Sequence, residues 1–224
     1  MDILPRAPWQ HQVYGRLTRL WPFKAFGTMA FMALFFWGYF GVLQHPLAPP
    51  MVMPLTLVDR WVAFTPLAFP AYASLWFYAS LPPALLNSAH ALRIFALWIA
   101  GLCLSCLAIF WIFPSTVPPA GIDWALYPEM AMIKGLDASG NACPSMHVAS
   151  AVFSALWLYR LLQVVAAPSV LHWLNGLFCL AILWSTLATR QHVALDVLAG
   201  VLVGTFFAVF ALRHAKAAVP LEDF

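Results

Sequence analysis

The sequence predicts an all-α integral membrane protein with six transmembrane helices. Of the 224 residues, 63% are hydrophobic and 8% are charged, a balance far from that of soluble domains. Apolar runs of about 20 residues, the length that crosses the hydrocarbon layer, occur six times. These runs are Phe23–Leu43, Trp61–Leu81, Leu92–Phe113, Met146–Leu162, Val170–Ala188 and Val193–Leu212. We therefore expect one integral membrane domain, residues 1–224.

The runs differ in regularity. Basic residues precede the first run, but no small-residue cleavage site follows it, so we expect an uncleaved helix rather than a signal peptide. The second run contains Pro66 and Pro70 and is the least regular, although membrane helices tolerate proline when neighbours satisfy the freed carbonyls. The longest stretch between runs, 114–145, is the expected place for structure that contacts a substrate.

Basic residues predict the orientation. With both termini in the cytoplasm, eight of the eleven Lys and Arg residues fall on the cytoplasmic side, as the positive-inside rule requires. The remaining three are Arg60, Lys134 and Arg190. We expect a bacterial inner membrane protein whose polar site faces the periplasm. The net charge of +3 is explained by this topology and gives no support for nucleic-acid binding.

The four cysteines do not form a disulfide framework. Cys103 and Cys106 make a Cys-x-x-Cys inside the third run, where packing is a better explanation than a metal or redox site. Cys179 is also inside a run, and Cys143 has no evident partner on its side of the membrane. We expect all four to pack as small apolar side chains.

Two polar motifs border the apolar runs. One is Pro144-Ser145-Met146-His147, and the other places His192 and Asp196 four residues apart. If both residues of the second motif begin a helix, they share a face, and the carboxylate orients the imidazole. His192 then acts as a nucleophile, and His147, at another helix start, as the acid for a leaving group. This chemistry needs no metal and no cofactor.

A structural explanation competes with the catalytic one for each histidine. His45, His90 and His172 also border apolar runs, and we interpret them as interfacial residues. His147 and His192 differ because they occur with Asp196 and with a basic residue on the same predicted side. For Asp59 and Asn141, structural and functional roles are equally open: Asp59 pairs with Arg60 or caps the second run, or it belongs to the site.

The two motifs resemble the second and third signature motifs of the type 2 phosphatidic acid phosphatase superfamily. The third motif here runs from Ser185 to Asp196. Three further features resemble the aureobasidin-resistance, or inositolphosphotransferase-like, branch of that superfamily. They are Asp59-Arg60 followed by Phe64 and Pro66, the segment Phe113-Pro114-Ser115-Thr116-Val117-Pro118-Pro119, and Gln191 directly before His192. The resemblance covers about Thr56 to Gly200 and implies a six-helix bundle with His192, His147 and Asp196 as catalytic residues.

The chain also departs from the superfamily pattern. The first motif, Lys, six residues and then Arg-Pro, is missing, and Thr186 stands where an arginine follows Ser185. We expect Arg60 and Arg190 to supply the phosphate-binding charge instead, because a guanidinium fork fits phosphate oxygens. Lys134 is a third candidate. The hydroxyl of Ser145 and the amides of a helix start are further expected phosphate ligands.

These observations predict a membrane enzyme that cleaves a lipid phosphoester or pyrophosphate through a phosphohistidine. The expected partner is a lipid phosphate within the membrane. The alternative is a synthase that transfers a headgroup to a sphingolipid or phospholipid, like an inositol phosphorylceramide synthase. A lipid transporter or flippase is less favoured, because the ionisable residues gather at one face instead of crossing the bilayer. A catalytically inactive scaffold is a further alternative, which the complete set of His147, His192 and Asp196 disfavours.

Overall fold

The structure, a computed structural model, describes residues 7–137 and 140–224. In these residues the chain forms ten α-helices and one pair of short parallel strands, with three single turns of 3-10 helix. The α-helices are α1 (Trp9–Thr18), α2 (Trp21–Gln44), α3 (Leu57–Trp61), α4 (Phe69–Ala73), α5 (Leu75–Leu85), α6 (Ala89–Ile112), α7 (Pro128–Asp137), α8 (Met146–Val164), α9 (Ser169–Ala188) and α10 (Ala194–Ala218). The strands are β1 (Met51–Val52) and β2 (Ser115–Thr116), and the 3-10 turns are Pro66–Ala68, Trp124–Leu126 and Leu221–Asp223.

Within the described residues, four helices are long and apolar enough to cross a membrane. They are α2, α6, α9 and α10. Helix α8 has 19 residues but includes His147, Arg160 and Gln163, which make it more polar than the other four. The chain is therefore an all-α membrane protein by composition and by the length of these helices. Five of the six predicted runs lie almost wholly within helices α2, α6, α8, α9 and α10.

The prediction of one helix over Trp61–Leu81 is wrong. Helix α3 ends at Trp61, and the chain then forms coil, a 3-10 turn, α4 and α5. Pro66 explains the first break, because the residue before a proline is driven out of helical conformation. Thr65 has φ −134° and ψ 94°, which is extended backbone. Pro70 lies in the first turn of α4, where a missing N–H costs nothing.

Helix α8 occupies the centre of the bundle. It packs against α5, α6, α9 and α10, and its Phe153 and Trp157 side chains are fully buried. The closest approach is to α10 at Gly200 and Gly204. A Cβ atom at Gly200 would lie 2.5 Å from the Ser145 carbonyl oxygen, and one at Gly204 would lie 2.4 Å from that of Ala149. Small residues four apart allow this backbone contact, as in other membrane helix pairs.

The loops at one end of the bundle are joined by the strand pair. Met51 pairs with Ser115 and Val52 with Thr116, and Thr116 also bridges to Gly140. The carbonyl of Ser115 accepts a hydrogen bond from the Ala142 N–H, and its hydroxyl accepts one from the Cys143 N–H. These contacts connect β1, β2 and the segment that leads into α8. The predicted loop 114–145 thus contains β2, a 3-10 turn and α7. We call the end of the bundle at which α8 and α10 begin the site end.

Candidate active site

The Pro144-Ser145-Met146-His147 motif forms the N-terminus of α8. Ser145 is the N-cap residue, and its fully buried hydroxyl accepts a hydrogen bond from the Val148 N–H at 3.2 Å. This is the usual role of serine before a helix. The Ser145 N–H donates to the carbonyl of Asp196 at 2.9 Å. That bond joins this motif directly to the motif that contains His192 and Asp196.

The motif that contains His192 and Asp196 begins with a Schellman turn, which ends α9. The Gln191 N–H donates to the Thr186 carbonyl at 3.0 Å, and the Arg190 N–H donates to the Leu187 carbonyl at 3.0 Å. These are the two bonds that define this motif, and glycine is its usual left-handed residue. Here Arg190 occupies that position, with φ 56°. Its conformation costs about 1–2 kcal/mol relative to glycine, a cost that a use of the side chain can offset.

That use is visible in the contacts of the guanidinium group. Arg190 Nη1 donates to the carbonyl of Asp59 at 2.9 Å, and Nη2 donates to the carbonyl of Val62 at 2.8 Å. Both carbonyls lie at the C-terminal end of α3, where helix carbonyls lack intrahelical donors. Arg190 therefore attaches the α3 segment, by which we mean residues 56–65, to the loop that carries His192.

His192 and Asp196 come together, but by a different route from the predicted one. His192 precedes α10, which begins at Ala194, so the two residues do not share a helix face. Instead Asp196, in the first turn, reaches back to accept a hydrogen bond from the Val193 N–H at 3.0 Å. The same oxygen, Oδ2, lies 3.5 Å from Nδ1 of His192. Asp196 is fully buried, whereas the His192 side chain is 12% exposed.

His147 is held by Tyr72, a residue that the sequence analysis did not identify. The two rings are stacked, with centroids 4.1 Å apart and planes inclined by 12°. The Tyr72 backbone carbonyl accepts a hydrogen bond from the imidazole. Nε2 of His147 has no hydrogen-bond partner. Nδ1 of His192 lies 3.5 Å from Asp196 Oδ2 and is also without a hydrogen bond.

Unpartnered polar atoms are concentrated at these segments. In the part of the chain that the structure describes, seven buried side-chain nitrogen or oxygen atoms lack a hydrogen-bond partner. Five of them belong to residues 141–147 and 191–196. They are Asn141 Nδ2, His147 Nε2, Gln191 Nε2, His192 Nδ1 and Asp196 Oδ1. Buried polar groups are rarely left without partners, and such groups mark functional sites when they cluster.

The four predicted phosphate ligands differ in their surroundings. The Ser145 hydroxyl is the helix cap and is fully buried, and the Arg190 fork donates to two carbonyls. Arg60 is exposed, and no hydrogen bond or ion pair joins it to other residues in the described parts of the chain. The Lys134 side chain lies outside the described residues. Among the described residues, no group of three His, Cys, Asp or Glu residues is arranged to hold a metal ion.

Cys143 lies beside the site without being reactive. Its side chain packs with Met53, Val117, Ala142 and Val193. Burial, with a smaller contribution from the negative charge of Asp196, raises the pKa of Cys143 to about 11. The thiol is therefore protonated at neutral pH and is a poor nucleophile. The four cysteines are free, and Cys103, Cys106 and Cys179 are buried.

Comparisons of this chain with protein-family models, with curated proteins and with solved structures gave no match. The resemblance to type 2 phosphatidic acid phosphatases therefore depends on the motifs alone.

Stacking on Tyr72 predicts a graded response to substitution. We expect Tyr72→Leu to lower turnover by roughly 10–100-fold, because His147 loses the ring that fixes its plane and general-acid catalysis is worth about 10²–10⁴-fold. Tyr72→Phe keeps the stack and the backbone carbonyl, so its turnover should stay close to wild type. The measurement is kcat of purified variants with matched thermal stability. A large loss in Tyr72→Phe would instead assign the function to the hydroxyl.

Proposed function

We propose that this protein is a membrane enzyme that cleaves a phosphoester or phosphoanhydride of a lipid through a phosphohistidine at His192. The observation that carries the proposal is the pair of histidines at one end of the bundle, each beside an oxygen acceptor. Nδ1 of His192 lies 3.5 Å from Asp196 Oδ2, and the His147 imidazole bonds the Tyr72 backbone and leaves its Nε2 unpartnered. We expect each ring to use Nε2 for chemistry, with the neighbouring oxygen selecting the tautomer.

The two steps balance with these groups alone. In the first, Nε2 of neutral His192 attacks phosphorus, an N–P bond forms, and the bond from phosphorus to the leaving oxygen breaks. His147 gives an Nε2 proton to that oxygen. Because burial and the neighbouring His192 lower the pKa of His147 to about 3, it gains this proton only when the anionic substrate is bound. In the second, water or an alcohol attacks phosphorus, His147 takes up the acceptor's proton, and the N–P electron pair returns to His192. Asp196 stabilises the positive charge that develops on the His192 ring.

The phosphate would lie between the two helix starts. The first amides of α8 have no intrahelical acceptor, and the Ser145 hydroxyl satisfies only that of Val148. Arg60 is an exposed residue of α3, the helix that Arg190 binds, and it is the side chain that we expect to supply charge to the substrate. Arg190 adds positive charge at the same end while it holds α3.

The proposal is tested with purified protein in detergent and three kinds of substrate. These are phosphatidic acid, a lipid pyrophosphate, and a phospholipid supplied together with a lipid alcohol as acceptor. Phosphate release would make the protein a phosphatase, and transfer to the alcohol would make it a synthase. An acid-labile, alkali-stable phosphoenzyme that maps to His192 is expected with either acceptor. Absence of both turnover and phosphoenzyme with all three substrates would exclude the proposed function.

The proposed orientation places both chain termini in the cytoplasm and the site end on the other side of the membrane. We expect Ala125→Cys to react with an impermeant maleimide in intact cells and Thr18→Cys to react only after permeabilisation. Both positions are exposed. Cys143 is replaced by serine in both variants to remove the partly buried native thiol at the site end. Labelling of position 18 alone in intact cells would show that the orientation is the opposite of the proposed one.

A further inference from the structure

Asp59 is a buried carboxylate that joins two distant parts of the chain. It is 3% exposed and lies in the short helix α3. Its Oδ2 accepts hydrogen bonds from the N–H of Thr56 at 2.7 Å and from the Thr56 hydroxyl at 2.8 Å. Its Oδ1 accepts a hydrogen bond at 2.8 Å from the N–H of Ala194, 135 residues further along the chain.

Local capping explains only one of the two oxygens. The bonds from Thr56 form a capping box that begins α3, and they use Oδ2 alone. The bond from Ala194 serves a different helix, because Ala194 is the first residue of α10. Its N–H is one of the amides that a helix start leaves without an acceptor. The start of α10 therefore holds two carboxylates, with Asp196 on Val193 and Asp59 on Ala194.

The α3 segment holds the His192 loop on both sides. Before His192, Arg190 donates to the carbonyls of Asp59 and Val62, and the Thr65 N–H donates to the Ala188 carbonyl at 2.8 Å. After His192, Ala194 donates to Asp59. His192 thus lies between two attachments to one segment, and its Nδ1 is 3.5 Å from Asp196 Oδ2.

We propose that Asp59 is a positioning residue that fixes the His192 loop through the Ala194 amide. This inference rests on the phosphoryl transfer proposed above. Asp59 does not touch the substrate. It sets where Nε2 of His192 stands relative to phosphorus and to His147, and a displacement of about 1 Å at a reacting group costs up to roughly 10²-fold in rate.

Two variants test the Ala194 bond from opposite sides. Asp59→Asn keeps the shape but has one acceptor oxygen and an NH₂ group, so it must give up either the Thr56 bonds or the Ala194 bond. Ala194→Pro removes the donor, and its ring displaces Asp59 Oδ1 while Oδ2 can still accept from Thr56. Proline is favoured at the first position of a helix, and Val193 before it already has extended backbone, with φ −107° and ψ 166°. Thr56→Val is the control, because it removes only the hydroxyl bond of the α3 cap.

We expect both variants to lower kcat by about 10–100-fold with KM within about threefold, and Thr56→Val to stay within about threefold of wild type. A second measurement does not need turnover. Diethyl pyrocarbonate modifies neutral imidazoles, and peptide mass spectrometry resolves its pH-dependent rate at His192, with the exposed His45 as an internal reference. The His192 profile should shift in Asp59→Asn and Ala194→Pro, while that of His45 should not.

The two measurements separate the two hypotheses. If the wild-type protein has no phosphoryl-transfer activity but the His192 profile shifts in both variants, the proposed function fails and the positioning role stands. If both variants fold with wild-type kcat and an unchanged His192 profile, the positioning role is overturned whatever the substrate. Should Asp59→Asn fail to fold, Ala194→Pro decides alone, because it removes the Ala194 donor and leaves the Asp59 carboxylate available to Thr56.

Discussion

Replacing His192 with alanine is expected to abolish phosphoenzyme formation and turnover with every substrate, because the atom that bonds to phosphorus is gone. His147→Ala is expected to retain the nucleophile and lose only the proton donor. Its rate should fall by about 10²–10⁴-fold on an alkyl phosphate ester. A substrate whose leaving group departs without protonation, such as a nitrophenyl phosphate ester, should recover much of that loss.

The matched control is His45→Ala, a histidine that is exposed outside the site. It should leave both steps unchanged. The measurements are single-turnover phosphoenzyme formation and steady-state rates with good and poor leaving groups. Equal recovery of His192→Ala and His147→Ala by the activated substrate would show that the two histidines do not divide the roles of nucleophile and acid.

Among glycine-to-alanine substitutions in the bundle, we expect Gly200→Ala to lower activity most. The new Cβ would lie 2.5 Å from the Ser145 carbonyl oxygen and 3.0 Å from Cβ of Val148. The nearest of these atoms is backbone, which cannot rotate aside, so α10 must move away from α8. Overpacking of this kind costs about 1–3 kcal/mol and occasionally more. The same displacement separates His147 from His192. We therefore expect kcat to fall further than the loss of folded protein alone would explain.

Two further glycine variants separate these effects. Gly204→Ala meets the Ala149 carbonyl at 2.4 Å, one turn further from the site, so stability should fall while the surviving folded protein keeps more activity. At Gly176 no heavy atom lies within 4 Å of a new Cβ. Gly176→Ala should therefore be neutral or stabilising by up to about 1 kcal/mol. Thermal unfolding and kcat of the three proteins give the comparison. Wild-type stability in Gly200→Ala would mean that the helices separate easily.

The sequence was informative where the signal is local. Apolar length located most of α2, α6, α8, α9 and α10, since a helix that faces lipid must be apolar along its whole length. It failed at Trp61–Leu81, because apolar composition alone cannot distinguish a continuous helix from short helices broken at Pro66. The proline was visible, but whether a membrane helix absorbs it depends on neighbours that the sequence does not specify.

The site shows the same division. The spacing of His192 and Asp196 predicted their pairing, although the cause is a carboxylate that reaches back from the first turn of α10 and not a shared helix face. Tyr72 and Asp59 could not be assigned in this way. Each contacts a residue 75 or 135 positions away in the chain, His147 and Ala194, and only the packing of the bundle sets those distances.

The bond from Ala194 to Asp59 also orders events during synthesis. A ribosome adds about 5–20 residues per second, so the 135 residues between the two partners take on the order of 10 s to make. Throughout that interval the Thr56 partner of Asp59 has been made, and the Ala194 amide has not. Arg190 emerges shortly before Ala194, so both attachments of the α3 segment become available almost together. The loop that carries His192 is thus attached to the α3 segment only late in synthesis, and a chain interrupted before α10 would lack the Ala194 bond.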